Sequence, residues 1–307
     1  MSRPQHLETK AVHAGREHFK ELGVHAPPID LSTTYPFSDL GKAVDSLDAL
    51  MVGEGHVANP IYARLFNPTV ARFEDALAQL EGTESAVAFS SGMAALCGCL
   101  LAARSERKNH VVGVRPIYAS TDRLISTNYL SLDVTWTDAN GIEDAIREDT
   151  ALVVLETPIN PTIRLQDIAA AAEAAGEVPL CVDSTFASPV LQNPAELGAE
   201  LVMHSGTKFI GGHSDVLAGV VACSEEWAER LREVRIFTGA VLHPLSGYLL
   251  HRGLATLPLR IMRSQETAQI LAKRLFDHPS VSRVFYPSLD GCDPLGLLRG
   301  GEHGGAG

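Results

Sequence analysis

Lys208 closes the stretch His204-Ser205-Gly206-Thr207-Lys208, directly after the apolar run Leu201-Val202-Met203. It therefore reads as a lysine at the end of a buried strand, flanked by hydroxyls. Twenty-five residues earlier a second apolar run, Pro179-Leu180-Cys181-Val182, ends in Asp183. Strand ends in an open α/β sheet line the crevice where ligands bind. A lysine and an aspartate at two such ends suit pyridoxal phosphate chemistry. The lysine can form a Schiff base with the aldehyde, and the carboxylate can pair with a protonated pyridine nitrogen. Taken alone, each residue also has a plain reading, a surface lysine and a capping aspartate.

Further candidates follow other strands. Ser90-Ser91-Gly92-Met93 leaves an apolar run and opens a helical one. Small residues there let backbone amides approach an anion, and the helix dipole favours a phosphate. Ser205 and Thr207 can add hydroxyl donors. In Tyr62-Ala63-Arg64 the guanidinium suits bidentate phosphate contact. Tyr118 can stack on an aromatic cofactor. The turn Glu156-Thr157-Pro158-Ile159-Asn160-Pro161 holds Asn160 between two prolines, where its amide can bond a cofactor oxygen. Each has a structural alternative: a strand-to-helix turn, a salt-bridge partner, a half-buried tyrosine, a turn former. His204 and His213 read as structural, and no Cys/His spacing suggests a metal site.

The elements that must position these residues alternate along the chain. Strands are expected at Ala86–Phe89, Val111–Val114, Leu132–Trp136, Leu152–Leu155, Leu180–Asp183, Leu201–His204 and near Leu217–Ala222. Helices are expected at 93–103, 120–129, 141–147 and 165–175. Asn67 as cap, Pro68 at the first position, apolar residues at 70, 73, 77 and 80, and Gly82 as stop define another helix. Apolar runs separated by helices imply an α/β fold, mainly a parallel sheet flanked by helices. Residues 1–58 lack sustained periodicity and read as an extended arm that wraps another surface, such as a second subunit. Residues 59–242 read as the cofactor-binding domain. Residues 243–307 read as a linking helix to about Phe276, with a break expected at Pro258, then a strand at Val281–Tyr286 and an incomplete C-terminal domain. Five of the last eight residues are glycine.

Composition narrows the class. The chain has 307 residues, 45% hydrophobic and 20% charged, as in ordinary globular proteins. Its net charge of -12 disfavours nucleic acid and anionic membranes as partners. With no leader pattern and no apolar run near membrane-spanning length, the expected location is cytoplasmic. The five cysteines are odd in number and mostly sit in apolar segments, as reduced core thiols do.

Together these stretches resemble the Cys/Met-metabolism (transsulfuration) family of pyridoxal-phosphate enzymes, the cystathionine lyases, cystathionine γ-synthase and methionine γ-lyase. The likeness rests on Tyr62-Ala63-Arg64 with Asn67-Pro68-Thr69, Ser90-Ser91-Gly92-Met93, Glu156 to Pro161, Val182-Asp183-Ser184-Thr185, and His204 to Lys208 through Gly212-His213-Ser214-Asp215. It runs from about Thr9 to Leu298. The resemblance implies a type I pyridoxal-phosphate transferase-like fold, pyridoxal 5'-phosphate as cofactor and a sulfur amino acid as substrate. It implies that Lys208 and Tyr118 are catalytic, with Tyr118 stacked on the ring, that Asp183 serves the ring nitrogen, and that Thr185 binds the cofactor. Asn160 would contact the phenolic oxygen, and Ser91, Gly92, Met93, Ser205 and Thr207 the phosphate. Tyr62 and Arg64 would bind the phosphate of a neighbouring subunit, which implies a homo-oligomer, a dimer of dimers. The first reading is a carbon–sulfur lyase acting by β- or γ-elimination on cystathionine or a related sulfur amino acid, while γ-replacement, as by cystathionine γ-synthase or an O-acylhomoserine sulfhydrylase, shares every residue named. The family continues past this chain's end into a domain whose arginine binds the substrate carboxylate, and no segment here matches that arginine's surroundings. A third reading therefore stays open: a truncated remnant that binds the cofactor without turnover.

Overall fold

The computed structural model describes residues 6–55, 57, 59–104 and 108–300. In chain order the elements are α1 (Leu7–His13), α2 (Phe19–Leu22), α3 (Leu40–Met51), α4 (Pro68–Glu81), β1 (Ser85–Phe89), α5 (Gly92–Ala103), β2 (His110–Val114) and α6 (Ala119–Ser126). These are followed by β3 (Asp133–Thr137), α7 (Ile142–Ala145), β4 (Thr150–Glu156), α8 (Ile168–Ala175), β5 (Leu180–Asp183), α9 (Ser188–Leu191) and β6 (Leu201–His204). The chain then forms β7 (Gly219–Cys223), α10 (Glu225–Thr238), α11 (Pro244–Leu254), α12 (Leu257–Phe276) and α13 (Leu297–Gly300).

The strands form one seven-stranded sheet in the order β1-β7-β6-β5-β4-β2-β3. The pairs β2–β3, β2–β4 and β4–β5 are parallel, whereas β1 and β7 pair antiparallel. Every residue of β1, β2, β4 and β7 is buried, as expected of strands covered on both faces. The edge strand β3 is only partly covered. The expected α/β architecture is therefore present, and seven of the eight expected strands appear within about two residues of their anticipated bounds.

The chain divides into two compact units, Met1–Ala102 with Met203–Thr256, and Ala103–Val202 with Leu257–Gly307. In the first unit, α4 is set as its sequence dictates. The Asn67 side chain accepts from the amides of Thr69 and Val70, Pro68 occupies the first turn, and Gly82 ends the helix at φ 73°. Val70, Phe73, Leu77 and Leu80 are buried. One buried ion pair and one buried arginine tie helices to β1. Glu74 Oε1 accepts from Arg235 Nη1 at 2.6 Å and from the Ala88 amide at 2.6 Å. Arg232 Nη2 donates to Ser85 Oγ, and its Nη1 to Glu225. In the second unit His110 lies between Thr150 and Thr135, each 2.8 Å from a ring nitrogen. Burial holds its pKa below the usual histidine range.

Several expectations need correction. Residues 281–286 form no strand, because no described segment pairs with them and a lone strand leaves its amides unsatisfied. The break in the long helical region falls between Leu254 and Leu257 rather than at Pro258. Pro258 sits in the first turn of α12, where its missing N–H needs no partner. The stretch read as an unpatterned arm carries α1, α2 and α3, the last capped by Asp39. The helix expected at 120–129 ends at Ser126 and gives way to a tight turn at Asn128–Leu130. That at 141–147 contracts to a single turn, and that at 165–175 begins only after Asp167, whose side chain caps it. Of the glycine-rich ending, residues 301–307 lie outside the described residues.

Candidate active site

In the first unit β6 delivers the lysine. Beyond His204 the chain folds into a tight turn: Lys208 N donates to Ser205 O at 3.1 Å, Gly211 N to Gly206 O at 2.8 Å and Gly212 N to Lys208 O at 2.8 Å. This turn leaves Lys208 exposed. His204, directly before it, is buried with its Nε2 2.5 Å from Glu81 Oε1. Its role is structural, as its place at the end of an apolar strand indicated.

β1 delivers the turn Ser90–Met93 to the same unit. Ser91 Oγ accepts from the Ala94 amide at 3.1 Å and caps α5. The first turn of a helix leaves amides without intrahelical acceptors, here those of Gly92 and Met93. Two glycines make the close packing possible. A Cβ on Gly92 would lie 3.0 Å from Ser205 Cβ, and one on Gly219 would lie 2.1 Å from Ser91 O. Gly219 escaped the sequence reading. Its one signal is a glycine inside a strand pattern, which often marks close backbone approach.

Thr207 also has partners within the protein. Its hydroxyl accepts from Ala218 N at 2.9 Å and donates to Ala218 O at 3.2 Å. The one hydroxyl proton is thus engaged within the protein. Tyr62 is 40% exposed, and the Arg64 guanidinium lies 5.4 Å from its ring centroid, with Nη1 donating to Ile236 O at 2.6 Å.

In the second unit Asp183 ends β5, opposite Glu156 at the end of β4. Thr185 donates twice to Asp183 Oδ1, from its amide at 3.0 Å and its hydroxyl at 2.5 Å. Such bonds favour the ionised carboxylate. Glu156 is 5% exposed, and its two oxygens accept from two different loops: Oε2 from the Tyr118 amide at 2.5 Å and Oε1 from the Asn160 amide at 2.7 Å. Burial, with the Asp183 charge nearby, pushes the Glu156 carboxyl up to about 7. The Tyr118 side chain remains 41% exposed, and Asn160 is half-buried. Gln192 Nε2 ties the β4 and β5 loops, donating to Thr157 O at 3.2 Å and Ser184 Oγ at 3.0 Å.

Each unit, taken by itself, carries groups that suit part of pyridoxal phosphate. Helix-terminal amides with Ser205 suit a phosphate, an exposed lysine suits an aldehyde, and an oriented carboxylate suits a basic ring nitrogen. Comparison with known proteins agrees. Residues 8–299 match the family described as Cys/Met metabolism PLP-dependent enzymes. An L-methionine gamma-lyase of Streptomyces avermitilis is 55% identical over 93% of this chain and 70% of its own length. A cystathionine gamma-synthase of Mycobacterium tuberculosis is 42% identical over 92% of this chain and 71% of its own. The crystal structure of metB from Corynebacterium glutamicum superposes with a TM-score of 0.87 at 34% identity, covering 98% of this chain and 77% of that one. The match spans nearly the whole chain, and the protein belongs to the Cys/Met-metabolism family of pyridoxal-phosphate-dependent enzymes.

Proposed function

We propose that this chain is a carbon–sulfur lyase that eliminates the γ-substituent of L-methionine or a related sulfur amino acid such as cystathionine. The observation that carries this reading is 55% identity to a protein named L-methionine gamma-lyase, against 42% for the cystathionine gamma-synthase. Bound pyridoxal phosphate supplies an electron sink for the pair left at the substrate Cα. Lys208 would hold the cofactor and act as the base toward the substrate Cα proton. Asp183, oriented by Thr185, would pair with the ring nitrogen and favour its protonated form. The amides of Gly92 and Met93, with Ser91, Ser205 and Thr207, would bind phosphate. Tyr118 stacks on the ring and serves as the second catalytic group, while Asn160 contacts the phenolic oxygen.

These residues lie between positions 59 and 242, the segment read as cofactor-binding. The active unit is a homo-oligomer, a dimer of dimers in which Tyr62 and Arg64 serve the neighbouring subunit's phosphate. It works in the cytoplasm. None of the described helices is long and apolar enough to cross a membrane.

The test is product analysis on L-methionine and L-cystathionine, with and without a thiol acceptor. Elimination breaks the carbon–sulfur bond, consumes water and releases a thiol, a 2-oxo acid and ammonia without any acceptor. Product that forms only from an activated homoserine ester plus a thiol would assign γ-replacement instead, the reading that the cystathionine gamma-synthase relative favours.

A further inference from the structure

Glu156 is a buried carboxylate to which the proposed mechanism gives no role. It stands at the end of β4, and each of its oxygens receives one backbone amide. Those amides belong to Tyr118, on the loop after β2, and Asn160, on the turn after β4. The glutamate's own carbonyl accepts from Gln166 Nε2 at 2.9 Å, which fixes its backbone. Both tethered residues are ones that the proposed function sets against the cofactor ring.

We propose that Glu156 is a positioning residue, a two-oxygen clamp that seats the Tyr118 ring and the Asn160 amide against the cofactor and does so fully only as a carboxylate. The inference rests on the proposed cofactor roles of Tyr118 and Asn160. Its physical basis is the count of acceptors. A carboxylate offers two equivalent acceptor oxygens, and both are used here. Protonation turns one oxygen into a hydroxyl, a poorer partner for an incoming N–H. Glutamine has the same shape but one acceptor, so its amide nitrogen would face an N–H and one tether would be lost. Charged-group hydrogen bonds of this kind are the stronger ones.

The clamp has a built-in opponent. Asp183 is the charged side chain that acts on Glu156, from β5 in direct register, while the remaining contacts are backbone amides. Burial and that charge leave Glu156 titrating at about 7. The clamp therefore tightens as pH rises through neutrality.

The experiment uses the purified full chain titrated with pyridoxal phosphate, read by visible absorbance and by circular dichroism of the bound cofactor. For Glu156→Gln we expect affinity for pyridoxal phosphate to fall about ten-fold, the equivalent of roughly one charge-assisted bond. The cofactor's circular dichroism should weaken as the Tyr118 seat loosens. Wild-type affinity should rise through about pH 7, and that inflection should be missing from Glu156→Gln. Glu156→Asp, which keeps the charge, should retain an inflection. Unchanged affinity and dichroism in Glu156→Gln, or an inflection that persists in it, would overturn the clamp while leaving the cofactor assignment intact. A wild-type chain that binds no pyridoxal phosphate would overturn both. If Glu156→Gln does not fold, the wild type still decides. The amide resonances of Tyr118 and Asn160 must titrate together near pH 7, and their failure to do so ends the proposal.

Discussion

Single side chains carry the chemistry. Lys208→Ala should abolish the visible absorbance of bound cofactor, since no other lysine lies in the β6 turn. Turnover should fall by at least the roughly 10²–10⁴-fold that positioned acid–base groups contribute. Asp183→Asn should keep the cofactor colour but lower kcat by about 10²–10³-fold, the usual loss when one preorganised charge is removed. The Thr185 donors would then face a weaker acceptor. Steady-state assays of both variants beside absorbance spectra separate loss of the cofactor from loss of its electronic tuning. The sequence exposed Lys208 and Asp183 because each ends an apolar run. It did not expose the use of Glu156, which looked like the first residue of a proline-held turn. Its function depends on a loop 38 residues away reaching back to its oxygen.

At the scale of elements, burial of charge makes a sharp demand. Glu74 on α4 and Arg235 on α10 are both nearly inaccessible, and Glu74 also holds the Ala88 amide of β1. Glu74→Ala would leave the arginine buried without its partner, so it should destabilise the fold by about 3–5 kcal/mol. Glu74→Gln keeps an acceptor for the amide and should cost less. Urea unfolding midpoints of the two variants check this, and equal losses would mean that the pair matters little. The helix itself was legible in advance, from Asn67 through Gly82, because capping and periodicity are local. The strand expected at Val281–Tyr286 was not to be had from local pattern. A strand exists only where a partner receives its hydrogen bonds, and none of the described segments does so.

The whole molecule responds to pH through the same buried acid. Glu156 titrates at about 7 when folded against an ordinary value of 4.5. A raised carboxyl pKa means that the folded state binds its proton more tightly than the unfolded one. Its contribution to stability is complete below about pH 4.5 and is lost as pH rises through about 7. The burial-depressed histidines, His110 and His251, act with the opposite sign, so the comparison must be with a variant. Relative to Glu156→Gln, the cofactor-free wild type should lose about 3 kcal/mol of stability between pH 4.5 and 7. A flat difference across that window would remove Glu156 as its source. Assembly gives a second prediction. Mixing refolded Arg64→Ala and Lys208→Ala chains, each inactive alone, should restore about a quarter of wild-type activity, because a symmetric pair would hold one intact site. No recovery would place Arg64 in its own subunit's site.

Local chemistry in the chain order, a lysine and an aspartate at strand ends, small residues at a helix start, a capped amphipathic helix, was enough to reveal the α/β alternation, the cofactor class and the family. Those signals sit within a few residues of one another, where spacing translates directly into geometry. Which hydroxyl is engaged by backbone, as Thr207 is by Ala218, and which acid holds two loops at once, as Glu156 does, were settled by folding alone. Such roles arise when distant segments compete for one polar atom in a place that water cannot reach, and nothing in the linear order records who wins.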